Sequence, residues 1–299
     1  MENISFVILN YKAYEEAIAC AESILATQTY PNIQIVIVDN GSGNGSEKEL
    51  ELHFECEEKV HVIASEKNLG FAKGNNLGIA YAREHFTPAF IVVANSDIIF
   101  EQPDYCEKLI EIYAQKPYAI LGGDIIDASR TQHFNPVARE RIYTIPYMRK
   151  QALVSDMKAW MFRLLKFFHL KKAVEGKEKQ TTREVEGKSV AADSRIEEEI
   201  EGVLLHGCCM VFSKDFFAEF EGFWPETFLY AEEEIVYYLA MKKGMCVLYT
   251  PKVVCMHKEA VTTKQIYRDF CDAKIFYFSN VAKSYWKFLK LMKKCESRG

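Results

Sequence analysis

The chain has 299 residues, of which 49% are hydrophobic, and a formal net charge of −5. That apolar share argues against global disorder, the charge gives no reason to expect a nucleic-acid partner, and the length allows one large domain or two ordinary ones. No apolar run reaches the ~18–20 residues of a membrane span, and the N-terminus lacks the basic and apolar regions of a secretory leader, so a cytoplasmic protein, soluble or peripheral on a membrane, is expected. The nine cysteines are an odd count without a C-x-x-C pair, which suits reduced, mostly buried thiols better than a zinc site or a disulfide framework.

In chain order, Ile4–Leu9 (ISFVIL) is a continuous apolar run, as a strand covered on both faces requires. Tyr14–Leu25 has helical apolar spacing. Ile33–Val38 (IQIVIV) is a second strand, ending in Asp39-Asn40-Gly41-Ser42, a polar loop able to cap the next helix. Val60–Ala64 is a third strand. Residues 68–76 form a Gly/Asn loop that leads into a helix through Arg83, and Phe90–Ala94 is a fourth strand closed by Asn95-Ser96-Asp97. Strands alternating with helices predict an α/β fold with an open, mainly parallel sheet flanked by helices. Ligands of such sheets bind beyond the carboxyl ends of the strands, where the three polar loops fall.

From about Arg139 the pattern changes. Ile142–Leu170 is basic and aromatic and is predicted helical from about Ser155. Glu175–Glu201 is dense in charge and reads as a flexible loop or disordered insert. Val203–Phe212 and Lys214–Phe220 resume the ordered pattern, and Lys264–Lys294 reads as a long helix or helix pair with aromatic residues among its lysines. The expected organisation is a core domain over residues 1–262, with an insert at about 133–200, and a basic helical extension over 263–299. The basic aromatic segments 139–172 and 264–294 suit either an anionic membrane surface or a helical subdomain with snorkelling lysines.

Several side chains could carry chemistry. Asn10 and Tyr11 could offer an amide and a ring to a base, or serve as plain turn residues. Asp39 could accept from a pyrimidine N–H or a ribose hydroxyl, or cap a helix. In KNLGFAKGNNLG, Gly70 and Gly74 allow close backbone approach, Asn68, Asn75 and Asn76 supply donors, and Lys73 supplies a cation for phosphate. Asp97 could hold Mg²⁺ or Mn²⁺, and His257 could join it. Glu232, Glu233 and Glu234 follow Phe228, Leu229 and Tyr230, where partial burial would raise a carboxylate pKa. The first βα turn, Asn10-Tyr11-Lys12-Ala13, lacks the glycines of a dinucleotide site, which disfavours hydride transfer.

The ordered set VILNY, IVIVDNGS, EKNLGFAKGNNLGI, VVANSD, LLHGCCMVFSKDFFAEFEGFWPETFLYAEEEI and VVCMH resembles glycosyltransferase family 2, the inverting enzymes of the GT-A fold. It is most similar to the rhamnosyltransferase-like group of capsule and O-antigen synthesis. The resemblance implies transfer of a sugar from a UDP- or dTDP-sugar to a hydroxyl of a saccharide acceptor, which could be lipid-linked. It implies that Asn10, Tyr11, Asp39, Asn68, Gly70, Phe71, Lys73, Asn75, Asn76 and Ser96 bind the donor. Asp97 and His257 would hold a divalent cation, Mg²⁺ or Mn²⁺. Glu233 would be the catalytic base, and Gly207 and Glu232 would face the acceptor, with Glu232 and Glu234 otherwise capping the helix or solvated.

Three departures qualify this. Asn-Ser-Asp offers one carboxylate to the metal, Glu stands at 233 where the family usually has Asp, and Leu239 stands where relatives often carry arginine. The single-acid metal motif and Leu239 keep a catalytically impaired partner protein of the same fold open as an alternative. A sugar nucleotidyltransferase, the other alternative, would want a Gly-rich, basic signature after the first strand, which is missing.

Overall fold

The computed structural model describes residues 1–137, 142–168, 196–258 and 269–297. The first half of the fold comprises β1 (Ile4–Asn10), α1 (Tyr14–Thr27), β2 (Ile33–Asp39), α2 (Ser46–His53), β3 (Val60–Ala64), α3 (Phe71–Phe86), β4 (Phe90–Asn95), β5 (Ile98–Ile99), α4 (Tyr105–Gln115) and β6 (Ile120–Asp127). The second comprises α5 (Ile145–Phe167), β7 (Ile200–Glu201), β8 (Cys209–Ser213), α6 (Lys214–Phe217), α7 (Glu232–Lys242), β9 (Val247–His257) and α8 (Phe270–Glu296).

Among the described residues these strands form one sheet in the order β3-β2-β1-β4-β8-β6-β9-β5, with β7 paired to β9. β1, β2, β3 and β4 are parallel, β8 runs antiparallel between β4 and β6, and β6 pairs parallel with β9. The continuous apolar strands follow from burial on both faces. Phe6 and Ile8 pack with Ala17, Cys20 and Ile24 of α1, while Val7 points the other way, to Ala72, Ile79 and Ala82 of α3. Each such side chain contributes about 1.5–3 kcal/mol by leaving water. The second face also seats Ile235 and Val236 of α7 and Phe288 and Leu289 of α8.

Several expectations are corrected. The Gly/Asn loop ends at Gly70, and Phe71–Asn76 are already the first turns of α3. α5 begins at Ile145, well before Ser155, because Thr144 caps it by accepting from the Tyr147 amide at 3.3 Å and Pro146 occupies its first turn. β5, α4 and β6 fill residues 98–127, for which no element was expected. The C-terminal helix is single and continuous from Phe270, with Asp269 as its cap. Arg139, Arg141, Lys171, Lys172, most of the charged stretch 175–201 and residues 264–268 lie outside the described residues.

Candidate functional site

Parallel pairing of β1 with β2 and β4 sets Asn10 opposite Asp39 and Leu9 opposite Asn95, so the three polar loops share one edge of the sheet. Asn10 is fully buried. Its Oδ1 accepts from the Ala13 amide at 3.1 Å, and its Nδ2 donates to Asp39 Oδ1 at 2.8 Å. Asp39 also accepts from the Ser42 hydroxyl. Both side chains thus do the turn chemistry weighed for them: Asn10 has both amide atoms engaged, and Asp39 is held by Asn10 and by the hydroxyl and amide of Ser42. Tyr11 is half-buried at the same edge, with the Lys12 ammonium 5.2 Å from its ring centre.

The loop before α3 is held from two sides. Asn40 Nδ2 donates to the Gly70 carbonyl at 3.1 Å and its Oδ1 accepts from the Leu69 amide at 3.0 Å, while Asn68 Oδ1 accepts from the Gly70 amide at 2.8 Å. From the other side comes the segment preceding α7. The Phe71 amide donates to the Phe228 carbonyl at 2.8 Å, and the Phe71 and Phe223 rings meet edge-on at 5.4 Å. Asn76 Nδ2 donates to the Phe223 carbonyl at 2.7 Å and its Oδ1 accepts from the Phe223 amide at 2.8 Å.

These contacts correct the reasons given for this loop. The space beside Gly70 is filled by the Phe228 carbonyl, 2.2 Å from where a Cβ would stand, and that beside Gly74 by Leu9 and Asn40. The close approach is therefore made by the protein's own chain. Asn76 has both amide atoms committed to Phe223. Asn75 is fully buried, with Nδ2 donating to the Phe71 carbonyl at 3.0 Å. Neither reaches outward. Asn68, half-buried, and Lys73, exposed on the first turn of α3, remain at the surface of the edge. Lys73 there adds a cation to the positive end of a helix.

Ser96 and Asp97 are buried in the turn after β4. Antiparallel pairing of β5 with β9 brings Ile98 opposite His257, and Asp97 Oδ2 lies 3.2 Å from His257 Nε2. That separation suits neighbouring positions on an octahedral ion with bonds of about 2.1 Å. His257 Nδ1 is buried without a hydrogen-bond partner, and the Asp97 carboxylate facing Nε2 favours the proton there, a proton that a cation between the two side chains would displace. Among the described residues no group of three or more His, Cys, Asp and Glu side chains is arranged to hold a metal. Two protein donors with phosphate and water completing the shell is the usual pattern for Mg²⁺.

His206 was missed by the sequence reading. Its ring centre lies 6.2 Å from that of His257. Asn135 Oδ1 accepts from the His206 amide at 2.7 Å, and His206 Nδ1 accepts from the Cys208 amide at 3.2 Å. Desolvation, and then the neighbouring His257, push its pKa down to about 4, with Asp97 pulling the other way. The ring is neutral at pH 7, and an accepting Nδ1 leaves the proton on Nε2.

Gly207 joins the two halves of the edge. It follows His206 in the turn before β8, and a Cβ placed on it would stand 3.4 Å from Glu233 Oε2. The room this glycine leaves is occupied by the Glu233 side chain. The chain enters α7 through Tyr230 and Ala231, both left-handed at φ 72° and 70°, which costs about 1–2 kcal/mol per residue and turns the acidic run into the site. Glu233 is half-buried, whereas Glu232 and Glu234 are buried, which corrects the idea that they are solvated. Burial lifts the Glu232 pKa to about 7, with backbone amides at the helix start offsetting part of the rise. A carboxyl raised to about 7 thus lies beside Glu233.

Residues 5–173, more than half of the chain, match the profile of glycosyl transferase family 2. Over 123 residues the chain is 33% identical to glycosyltransferase GlyG of Streptococcus pneumoniae, covering 41% of this chain and 39% of that protein. Over 128 residues it is 28% identical to the low-salt glycan biosynthesis hexosyltransferase Agl10 of Haloferax volcanii, covering 42% of this chain and 38% of that protein. The matched stretch spans roughly two fifths of the length of each relative. The crystal structure of S. aureus TarS 1–349 in complex with UDP is similar at a TM-score of 0.53 and 12% identity, over 95% of this chain and 65% of that one. GalNAc-T7 with UDP, GalNAc and Mn²⁺ is similar at 0.57 and 12% identity, over 91% of this chain and 49% of that one. Likeness at such identity speaks for the fold alone, and that fold is GT-A. With the profile matched over the strands that build the polar edge, the chain belongs to glycosyl transferase family 2.

Proposed function

We propose that the protein is an inverting glycosyltransferase that moves a sugar from a UDP- or dTDP-sugar to a hydroxyl of a saccharide acceptor, in the manner of rhamnosyltransferase-like enzymes of surface-polysaccharide synthesis. The observation that carries this reading is the layout of one edge. The Asp97–His257 pair lies at one side of the His206-Gly207 turn and Glu233 at the other. Its relatives are glycosyltransferases by name, and the GT-A neighbours include complexes with UDP.

Asp97 and His257 would hold Mg²⁺ or Mn²⁺, which supplies charge neutralisation to a departing nucleoside diphosphate. Tyr11, Asp39, Asn68, Lys73 and Ser96 would line the donor side, with Asn10, Gly70, Phe71, Asn75 and Asn76 shaping that wall from behind. Glu233 would take the proton from the acceptor hydroxyl as its oxygen attacks the anomeric carbon, opposite the leaving diphosphate. Gly207 gives the Glu233 carboxylate room to turn toward that hydroxyl. Glu232, raised to about 7 and so only partly ionised at neutral pH, adds less like charge beside Glu233 than a fully ionised carboxylate would. His206 Nε2–H would donate to an oxygen of either substrate.

Thermal stabilisation by UDP-, dTDP- and GDP-sugars, each with and without Mn²⁺, tests the reading. A metal-dependent rise for one donor, followed by release of its nucleoside diphosphate on adding saccharide acceptors, is expected. No metal-dependent binding of any nucleotide sugar would favour a non-catalytic partner of the same fold.

A further inference from the structure

α5 carries two apolar stripes. Met148, Ala152, Ser155, Ala159 and Phe162 are buried, and Phe162 stacks on Phe278 of α8 at 5.8 Å. On the opposite side, Leu153, Met157, Trp160, Met161, Phe167 and Phe168 are exposed, with Trp160 at 62% and Phe167 at 75% of their accessible surface. At about 100° per residue these six fall within roughly 120° of arc. A large apolar stripe left in water marks an interaction surface.

α8 supplies a matching basic stripe. Lys283, Lys287, Lys290 and Lys294 recur at helical spacing and are all exposed. The two helices are tied together where Trp286 Nε1 of α8 donates to Asp156 Oδ2 of α5 at 2.7 Å. Together the two helices carry eleven basic and three acidic side chains, a balance of +8 in a chain whose net charge is −5. Among the described residues no helix is long and apolar enough to cross a membrane.

We infer that the α5–α8 face docks on an anionic lipid surface, with the apolar stripe of α5 in the headgroup–acyl boundary and the lysines of α8 against lipid phosphates. Aromatic and apolar side chains flanked by lysines are the composition of helices that lie in the plane of a membrane. A second copy of the chain fits less well, because pairing this face with itself would set lysines against lysines. The inference stands without the transferase reading. It would nonetheless orient the site, since Ser284 Oγ donates to the Leu229 carbonyl at 2.9 Å and Tyr277 meets Tyr230 at 4.8 Å, so α8 backs the segment that leads into Glu233.

The test uses the full chain and vesicles of phosphatidylcholine with and without phosphatidylglycerol. Co-sedimentation with the anionic vesicles at low salt, weakened by high salt, and a blue shift of tryptophan fluorescence on binding are expected. Met157→Ser with Trp160→Ser, and separately Lys283→Glu with Lys290→Glu, should each weaken vesicle binding at least roughly tenfold. Both pairs are exposed, so the melting temperature should stay unchanged. Absence of binding to anionic vesicles at low salt overturns the inference, as does binding that both pairs leave intact. Concentration-dependent dimerisation without vesicle binding assigns the face to a second copy and overturns it too.

Discussion

The amide of Phe71 donates to the carbonyl of Phe228 at 2.8 Å, joining two segments more than 150 residues apart in the chain. One end of this bond opens the helix after the Gly/Asn loop, and the other lies four residues before the acidic run of α7. The contact needs Gly70 at φ 82° and ψ −179°, backbone essentially reserved for glycine, with no Cβ between the two chain segments. The Gly/Asn loop and the segment leading to the proposed base are thereby joined at one corner.

Gly70→Ala should therefore destabilise strongly. Alanine in that backbone region costs about 1–3 kcal/mol, and the Cβ would collide with the Phe228 carbonyl, adding about 1–3 kcal/mol. Gly43, left-handed at φ 63° with nothing within 4 Å of its Cβ position, is the control. Denaturant unfolding should show a loss of about 1 kcal/mol for Gly43→Ala and about 3 kcal/mol for Gly70→Ala. Equal losses would mean that the Phe228 carbonyl does not press on Gly70.

Glu232 links stability to pH. Its pKa rises from 4.5 to about 7 on folding. Below the ordinary value both folded and unfolded chains hold the proton, and the residue carries no penalty. As pH climbs, the unfolded chain releases its proton first, so stability falls until the folded carboxyl has also ionised near 7. Glu232→Gln removes this slope. The variant should match the parent at about pH 4 and exceed it by about 3 kcal/mol at about pH 8. Parallel stability curves would show that Glu232 is not shifted.

Asp97→Asn and His257→Ala should each weaken Mn²⁺-dependent binding of UDP by at least roughly tenfold. Titration calorimetry with and without the ion separates this from general damage, because metal-free nucleotide affinity should change little. Unaltered Mn²⁺ dependence in both variants would move the cation away from this pair.

Much of this architecture was legible in the sequence where local signals suffice. The first four strands appear within a residue of their expected bounds, because continuous branched apolar runs between polar turns have few other uses in a buried sheet. Misreadings arose where distant contacts override local chemistry. The glycines and asparagines of Asn68–Asn76 read as a ligand loop, yet Gly70, Gly74, Asn75 and Asn76 answer to Phe228, Leu9, Phe71 and Phe223. His206 has no local mark at all; only the turn before β8, set against the end of β9, brings it beside His257. The early start of α5 was readable in Thr144 and Pro146, a cap and a first-turn proline.

The central claim is that Glu233, at the start of α7, is the base that activates the acceptor. The most direct measurement is steady-state transfer by Glu233→Gln, which keeps shape and hydrogen bonding but removes the proton acceptor. With the cognate donor and acceptor, kcat should fall about a hundred- to ten-thousandfold. The donor KM and the melting temperature should hold. Turnover equal to the parent by a folded variant would contradict the account and require another group at this edge to take the proton.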